Sequence, residues 1–220
     1  MIDLFKIFPE HSIIVSCQAD PDTPTNHTDI MVAFALAAEM GGAAGLRLNS
    51  AEHIAAVRKR TQLPIIAIQK QSIPNEKVLI TGDHKNIPSL IDAGAQVIAF
   101  DATERGRPSD LPTIVSSIHN HGALALADIR HIGDVERCLE LEVDIIAPTL
   151  SVWDLPEYTP DIQLIRDIRT QCELPIIAEG NYWTPDDVKR AFDAGAHAVV
   201  VGSAITRPWR ITEYFVRGSR

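Results

Sequence analysis

Short runs of β-branched and other aliphatic residues alternate along this chain with longer segments whose apolar residues recur at helical spacing. Six runs are clear candidate strands, and they span residues 12–17, 64–68, 96–100, 144–147, 175–179 and 198–201. Weaker runs at 44–48 and 123–128 bring the candidate strands to eight. Helical periodicity is clearest over 29–40, 51–60 and 186–195. Strands that alternate with amphipathic helices are typical of βαβ units, so the sequence predicts an α/β protein with a parallel sheet.

Eight βα units leave two architectures, an open doubly wound sheet or a closed (β/α)8 barrel. The first candidate strand is followed by residues 18–28 (QADPDTPTNHT), which lack the GxGxxG fingerprint of dinucleotide-binding open sheets. An internal repeat favours the barrel, because LPII at 63–66 recurs at 174–177 and DAGA at 92–95 recurs at 193–196. We therefore predict a single-domain (β/α)8 TIM barrel over residues 1–217, with a short N-terminal helix. Residues 218–220 are interpreted as an expression remnant.

The balance of charges and cysteines narrows the range of partners. The chain carries 20 Lys and Arg against 29 Asp and Glu, a net charge of −9, so it lacks the electrostatic footprint of a nucleic-acid-binding protein. Its 3 cysteines are far apart and without CxxC spacing, which is typical of reduced thiols and predicts a cytoplasmic protein. No apolar run approaches the length of a spanning helix, and the first residues do not resemble a signal peptide, so we expect no membrane partner. No HExxH or other metal-ligand spacing occurs, so no metal is predicted.

Polar side chains and glycines follow nearly all of the candidate strands. In a (β/α)8 enzyme the catalytic groups lie at the carboxyl ends of the strands and in the loops that follow them. The residues at these positions are Gln18, Arg47, Asn49, Lys70, Asp101, Asp128, Thr149, Glu179, Gly180, Gly202 and Ser203. Strand ends that meet solvent account for some polar residues, but not for cations and carboxylates together. The pattern therefore predicts an active site at this end of the barrel.

Lys70 and Glu179 share a face of their strands. Counted from the proline of the repeated LPII fragment, Lys70 is six residues along and Glu179 is four, and even offsets point to the same side of a strand. Because these are the third and seventh of eight strands, we expect the two side chains on opposite sides of a substrate over the barrel mouth. The alternatives are an ion pair that plugs the barrel, or a lysine that simply reaches solvent.

The loops after the seventh and eighth candidate strands both carry glycine. Gly180 follows one strand, and Gly202 and Ser203 follow the other at the start of a short helix, with Arg207 beyond it. Glycine lets a ligand approach the backbone, helix N-termini hold anions, and barrels often bind phosphate at these two loops. We predict a phosphate site formed by these four residues. Tight turns that only require glycine are the alternative.

Several strand-end motifs, in order over about residues 10–215, resemble those of the N-acetylmannosamine-6-phosphate 2-epimerase family. They are SCQA at 16–19, GLRLNS at 45–50, IQK at 68–70, FDAT at 100–103, ADI at 127–129, TLS at 149–151, IAEG at 177–180 and VVGSAITRP at 200–208. The resemblance implies a ribulose-phosphate-binding-type barrel that inverts C2 of N-acetylmannosamine 6-phosphate to give N-acetylglucosamine 6-phosphate, without a redox cofactor. The expected partner is thus a phosphorylated amino sugar, and a homodimer is one alternative for the oligomeric state.

The resemblance also implies a role for each site residue. Lys70 and Glu179 are expected to be catalytic, and the expected sugar-binding residues are Gln18, Arg47, Asp128, Thr149 and Ser151. The C2 proton is acidic because it lies beside the C1 aldehyde of the open-chain sugar, so the site needs a base, an acid and a cation near the developing oxyanion. Lys70 is the expected principal base, acting neutral with a pKa lowered by burial and by Arg47. Glu179 is expected to assist ring opening or proton exchange.

Two loops depart from the family pattern. After residues 149–151 the family usually continues Gly-Tyr-Thr, where this chain has Val152-Trp153-Asp154. The stretches after Lys70 and over residues 80–83 differ as well. Because these loops cover the mouth, they bear on substrate identity more than on the chemistry. The alternatives are another phosphosugar isomerase or epimerase on the same barrel, a non-catalytic sugar-phosphate sensor and, with less support, a dinucleotide-dependent oxidoreductase.

Overall fold

Eight parallel strands form one sheet in the computed structural model, which describes residues 2–73 and 77–219. They are β1 Ser12–Cys17, β2 Gly45–Asn49, β3 Ile65–Ile68, β4 Val97–Asp101, β5 Leu124–Asp128, β6 Ile145–Ala147, β7 Ile177–Glu179 and β8 Ala198–Val201. Strands β1 to β6 pair in sequence order, and β8 pairs with both β1 and β7. An isolated parallel bridge between Ile146 and Ile176 links β6 to the residue before β7, so the barrel is nearly closed. The predicted (β/α)8 barrel is confirmed.

The helices of the described residues lie mostly between consecutive strands. They are α1 Leu4–Ile7, α2 Thr28–Met40, α3 Ala51–Arg58, α4 Ile87–Asp92, α5 Leu111–Asn120, α6 Asp134–Glu140, α7 Ile162–Gln171, α8 Pro185–Asp193, α9 Ser203–Thr206 and α10 Pro208–Gly218. Helix α8 begins with Pro185 and is capped reciprocally by Thr184 and Asp187, as a capping box requires. Among the residues that the structure describes, no helix is long and apolar enough to cross a membrane.

Alternation along the strands separates two apolar layers. One set of side chains fills the space inside the barrel, and it includes Ile14, Ile66, Ile68, Val97, Ala99, Leu126, Ile145, Ile177 and Val200. The intervening residues pack outward against the helices, as Leu46, Leu48 and Phe100 do. Because every second residue faces the same side, the inward face of a strand leads directly to an inward side chain at its carboxyl end. The burial pattern therefore directs the polar residues at the strand ends into the barrel mouth.

Helix α1 and Phe8 close the opposite end of the barrel. The Phe8 side chain is fully buried in the inner layer, and its carbonyl oxygen lies 2.7 Å from His197 Nε2. Gly45 at the start of β2 makes room for this ring, because a Cβ there would lie 2.3 Å from Phe8 Cε1. With this end plugged, a ligand reaches the interior from the carboxyl ends of the strands.

Candidate active site

Arg47 lies inside the barrel between two carboxylates from other strands. Its side chain is 1% exposed, and it donates two hydrogen bonds to Asp128, from Nη2 to Oδ2 at 2.7 Å and from Nη1 to Oδ1 at 3.2 Å. Arg47 Nη1 also lies 2.6 Å from Glu179 Oε2, an ion pair in which that oxygen accepts no hydrogen bond from the described residues. Thr149 Oγ1 donates to Asp128 Oδ1 at 2.5 Å. Paired hydrogen bonds between arginine and carboxylate fix geometry as well as charge, so the guanidinium is held in one orientation.

One buried cation between two buried carboxylates leaves an excess of negative charge. Burial raises the pKa of Asp128, although its bonds to Arg47 oppose the rise. Burial also raises the pKa of Glu179 to about 7, opposed by Arg47 and reinforced by Asp128. Burial alone would lower the pKa of Arg47, but the two adjacent carboxylates outweigh it and raise the pKa above its ordinary value. Arg47 therefore stays charged, and Glu179, without hydrogen bonds to the guanidinium, has a pKa at which its carboxyl exchanges a proton near neutral pH.

Lys70 is held just beyond β3 by a small hairpin, in which Lys70–Gln71 pairs antiparallel with Leu79–Ile80. Its backbone N–H donates to Asn49 Oδ1 at 2.9 Å, which ties the hairpin to the end of β2. Burial, together with the charges of Arg207 and Arg47, lowers the pKa of Lys70 to about 8 against the opposing carboxylates. Within the described residues the ammonium makes no hydrogen bond or ion pair. Lys70 is thus an amine that loses its proton at mildly alkaline pH and, within residues 2–73 and 77–219, forms no direct ion pair.

A cavity of about 240 Å³ lies over the carboxyl ends of the strands and brings most of the predicted residues together. The predicted residues that line it are Gln18, Arg47, Lys70, Thr149, Glu179, Gly180, Gly202, Ser203 and Arg207. Lys70 and Glu179 thus reach the same space from β3 and β7, which stand across the barrel from each other. This arrangement places an amine and a carboxyl of near-neutral pKa on two sides of any ligand in the cavity.

Two predicted site residues lie behind the cavity wall. Asp128 is fully buried and reaches the cavity through Arg47 and Thr149, the two residues that donate hydrogen bonds to it. Ser151 is 3% exposed, and its hydroxyl donates to the carbonyl oxygen of Pro148 at 2.9 Å. Neither is among the lining residues, so their contribution is to hold the residues that are.

The loops after β7 and β8 form one end of the cavity. Gly180 has a φ of +113°, and a Cβ there would lie 2.5 Å from Val152 Cγ1, so only glycine fits without rearrangement. Ser203 is the first residue of α9, which a hydrogen bond of 2.7 Å from Thr206 Oγ1 to the Ser16 carbonyl oxygen fastens to β1. Arg207 follows α9, and its Nη2 lies 3.3 Å from Asp20 Oδ1. Exposed backbone, a hydroxyl and a cation converge here, which suits an anion.

The apolar part of the cavity wall is not predicted from the sequence, apart from Ile80, Val152 and Trp153 in the loops expected over the mouth. Its members are Ile68, Val78, Ile80, Leu150, Val152, Trp153, Tyr182, Trp183 and Val200. Apolar residues near strand ends resemble core residues in sequence, and nothing in their spacing distinguishes them. The one available signal was position, because Trp183 lies three residues beyond Gly180 and Trp153 lies in the stretch that departs from the family pattern.

Across residues 2–73 and 77–219, no three His, Cys, Asp or Glu side chains are grouped so that they could hold a metal ion.

The fold and the acid–base groups at its strand ends define the chain as a (β/α)8-barrel enzyme. Residues 31–219 match the model of a family described as "Putative N-acetylmannosamine-6-phosphate epimerase". The chain belongs to this epimerase family, and the resemblance seen in the strand-end motifs is confirmed.

Individual relatives agree with the family match. Proteins from Clostridioides difficile (strain 630) and Staphylococcus aureus (strain Newman), each named "Putative N-acetylmannosamine-6-phosphate 2-epimerase", are 40% identical to this chain over 93% and 94% of it and 94% and 97% of their own lengths. The structure of the N-acetylmannosamine-6-phosphate 2-epimerase from Clostridium perfringens superposes with a TM-score of 0.92 at 34% identity, covering 98% of this chain and 96% of that one. A thiamine phosphate pyrophosphorylase from Pyrococcus furiosus, with a TM-score of 0.60 at 12% identity over 93% of this chain and 96% of that one, shares the fold alone.

Proposed function

We propose that this protein interconverts N-acetylmannosamine 6-phosphate and N-acetylglucosamine 6-phosphate by inverting C2 of the open-chain sugar. The observation that carries this proposal is the pair of groups in one cavity, Lys70 with a pKa of about 8 and Glu179 with a pKa of about 7. Inversion at C2 needs a proton removed from one face and returned to the other. Two groups of near-neutral pKa, carried by strands across the barrel, meet that need.

Lys70 acts as the principal base. Its neutral amine takes the C2 proton, the C2–H electron pair forms the C1–C2 double bond, and the aldehyde oxygen becomes an enolate. Arg47 lines the cavity with a permanent positive charge that stabilises this oxyanion. The absence of a direct ion pair to Lys70 among the described residues matters here, because an amine that already donated to a carboxylate would keep its proton at higher pH.

Glu179 supplies or relays the proton on the opposite side. Its carboxyl is partly protonated near its pKa of about 7, and Oε2 accepts no hydrogen bond from the described residues. Protonating C2 from that face collapses the enolate to the inverted aldehyde. The same group assists opening of the sugar ring. Deprotonation followed by reprotonation leaves the oxidation state of the sugar unchanged, so the proposal includes no redox cofactor.

The remaining site residues bind and orient. Gly180, Gly202, Ser203 and Arg207 hold the phosphate at one end of the cavity, and this remote binding energy holds C2 in place between the acid–base groups. The other direct sugar contacts come from Gln18 and Thr149, which line the cavity. Asp128 orients Arg47 and Thr149 from below, and Ser151 stabilises the turn after β6.

Turnover of a defined substrate tests the proposal. Purified protein incubated with N-acetylmannosamine 6-phosphate is expected to produce N-acetylglucosamine 6-phosphate. The conversion is monitored by ¹H NMR of the anomeric and C2 protons. A sugar-phosphate sensor would bind the substrate without converting it, and another phosphosugar epimerase would convert a different sugar faster. Either result would contradict the proposed function.

Two broader expectations remain proposals of the same kind. A cytoplasmic location suits a phosphorylated substrate and the three free cysteines, and cell fractionation tests it. The homodimer considered from the sequence stays a prediction, which light scattering of the purified protein tests.

A further inference from the structure

An apolar surface lies across the cavity from Ser203 and Arg207. Gly180, in the other anion-binding loop, is nearer to it, because a Cβ there would contact Val152, the residue before Trp153. Val78 and Trp153 both line the cavity and both pack against the apolar layer inside the barrel. Trp153 follows β6 in sequence, but its ring lies over the loops after β4 and β5, because Arg105 and Arg130 from those loops contact it. Strands β4 and β5 stand across the barrel from β8 and β1, whose following loops carry Ser203, Arg207 and Asp20. The cavity therefore has a charged end and an opposing apolar end.

The Trp153 ring is held in place by its neighbours. The Cζ atoms of Arg105 and Arg130 lie 5.8 Å and 5.6 Å from the ring centroid, within cation–π range. Arg130 in turn donates from Nε to Asp154 Oδ2 at 2.7 Å, and its Nη2 pairs with the other oxygen. Asp154 is the next residue after the tryptophan, so the same short turn supplies both the ring and the group that fixes its clamp. Such a ring presents a rigid face to the cavity.

The substrate of the proposed function has one apolar group that needs such a face. With the phosphate on C6 held at the charged end, C2 and its substituent lie toward the other end of the carbon chain. That substituent is the acetamido group, and its methyl is the only apolar part of a polar sugar phosphate. Burying a methyl against apolar side chains is favourable, whereas a hydroxyl or charge placed there would lose hydration.

Building on the proposed function, we infer that Trp153 and Val78 form the surface that receives the N-acyl methyl group, which makes Trp153 a specificity-determining residue. The surface limits the length of the acyl chain, because a longer chain would have to displace the Trp153 ring from its contacts with Arg105 and Arg130. Asp154 is a positioning residue that acts through Arg130. The stretch Val152-Trp153-Asp154, in which this chain departs from its family's pattern, is thus assigned to recognition of the substituent on C2.

The test compares N-acetyl- and N-butanoylmannosamine 6-phosphate as substrates, measuring kcat/KM for each. The wild type is expected to prefer the acetyl substrate, and Trp153→Ala is expected to reduce that preference by about tenfold or more, since differences of this size arise from one or two methylenes in an apolar pocket. Trp183→Ala is the matched control, because it removes the same side chain from the same cavity in the loop after β7. It is expected to lower turnover of both substrates without changing their ratio. Asp154→Asn is expected to raise KM for the acetyl substrate with kcat nearly unchanged.

Each outcome bears on one claim. If the wild type epimerises but Trp153→Ala keeps the wild-type ratio, or Trp183→Ala shifts the ratio equally, the acyl surface is wrong and the proposed function stands. If the wild type converts neither substrate, the proposed function is wrong and the acyl surface fails with it. Circular dichroism confirms that each variant is folded. If Trp153→Ala does not fold, the ratio of the two kcat/KM values is measured with Trp153→Leu, a smaller change that keeps an apolar side chain.

Discussion

Arg47 lies between two carboxylates but forms hydrogen bonds with only one of them. Asp128 receives both bonds and a third from Thr149, whereas Glu179 Oε2 receives a charge contact without a hydrogen bond. Burial raises the pKa of Glu179 to about 7, so this carboxyl exchanges a proton at neutral pH. The role of each carboxyl thus depends on hydrogen-bond geometry, which differs between two residues of the same chemistry in the same site.

This difference predicts the pH profile of the enzyme. In the proposed mechanism the active form has neutral Lys70 and protonated Glu179. The value of kcat/KM therefore rises with pH as Lys70 loses its proton, falls as Glu179 loses its own, and is highest between pH 7 and pH 8. Glutamine has no proton to lose, so Glu179→Gln is expected to remove the descending limb and to lower the maximal kcat by about 10²-fold. Steady-state rates from pH 5 to pH 10 measure this. A descending limb that persists in Glu179→Gln would assign it to another group.

The free energy of unfolding also depends on the charges of Arg47, Asp128 and Glu179. Arg47→Met leaves Asp128 and Glu179 without their cation, and breaking a buried pair costs about 3–5 kcal/mol. Removing the cation raises both carboxyl pKa values further above their unfolded values, so stability is lost as pH rises and the loss is expected to be larger at pH 8 than at pH 5. Urea denaturation at the two pH values measures it.

Arg217→Met provides the comparison for that measurement. Arg217 pairs with Glu157 and Glu213 on the surface and is 56% exposed, so its loss is expected to cost far less stability than the loss of Arg47. Equal costs for the two arginine variants, or a cost for Arg47→Met that is independent of pH, would contradict the charge distribution assigned to the triad.

At the scale of elements, the loop after β7 shows how backbone conformation forms the anion-binding end. Gly180→Ala places a Cβ 2.5 Å from Val152 Cγ1 and forces a residue with a side chain to a φ of +113°. We expect a rise in KM for the phosphosugar of about tenfold and a loss of stability of about 1–3 kcal/mol. Steady-state kinetics and thermal unfolding report the two effects separately.

The steric clash and the backbone strain contribute separately to the loss of stability expected for Gly180→Ala. Adding Val152→Ala removes the steric clash but not the backbone strain, so the double variant is expected to recover part of the stability. Gly133→Ala is the control, since its φ is −64° and a Cβ there meets nothing within 4 Å. If the control raises KM as much as Gly180→Ala does, the effect does not come from the loop after β7.

At the scale of the whole molecule, the repeat of strand and helix made the fold predictable. Eight aliphatic runs become the eight strands with ends shifted by at most two residues, because buried parallel strands carry a strong local signal. Parity along the strands also placed Lys70 and Glu179 in one cavity, since the inner face is continuous with the core. The net charge of −9 gave no indication of an anion-binding end, which depends on where a few cations lie rather than on their number.

What the sequence did not predict depends on side-chain reach across the barrel. Which carboxylate receives the hydrogen bonds of Arg47 is decided by contacts between β2, β5 and β7, which are far apart in sequence. Asp128 therefore lies behind the wall instead of lining it. Likewise, the Trp153 ring occupies the cavity because arginines from two other loops hold it there, and no local pattern encodes that contact.

Solvent exchange at C2 tests directly whether the protein inverts this carbon by removing and returning a proton. When N-acetylmannosamine 6-phosphate is incubated with the protein in D₂O, we expect N-acetylglucosamine 6-phosphate carrying deuterium at C2, detected as loss of the C2 proton signal in ¹H NMR. Lys70→Ala, folded by circular dichroism, is predicted to lose both conversion and exchange by about 10³-fold or more. Epimerisation that retained the original C2 hydrogen completely, or near-wild-type turnover by Lys70→Ala, would contradict this mechanism.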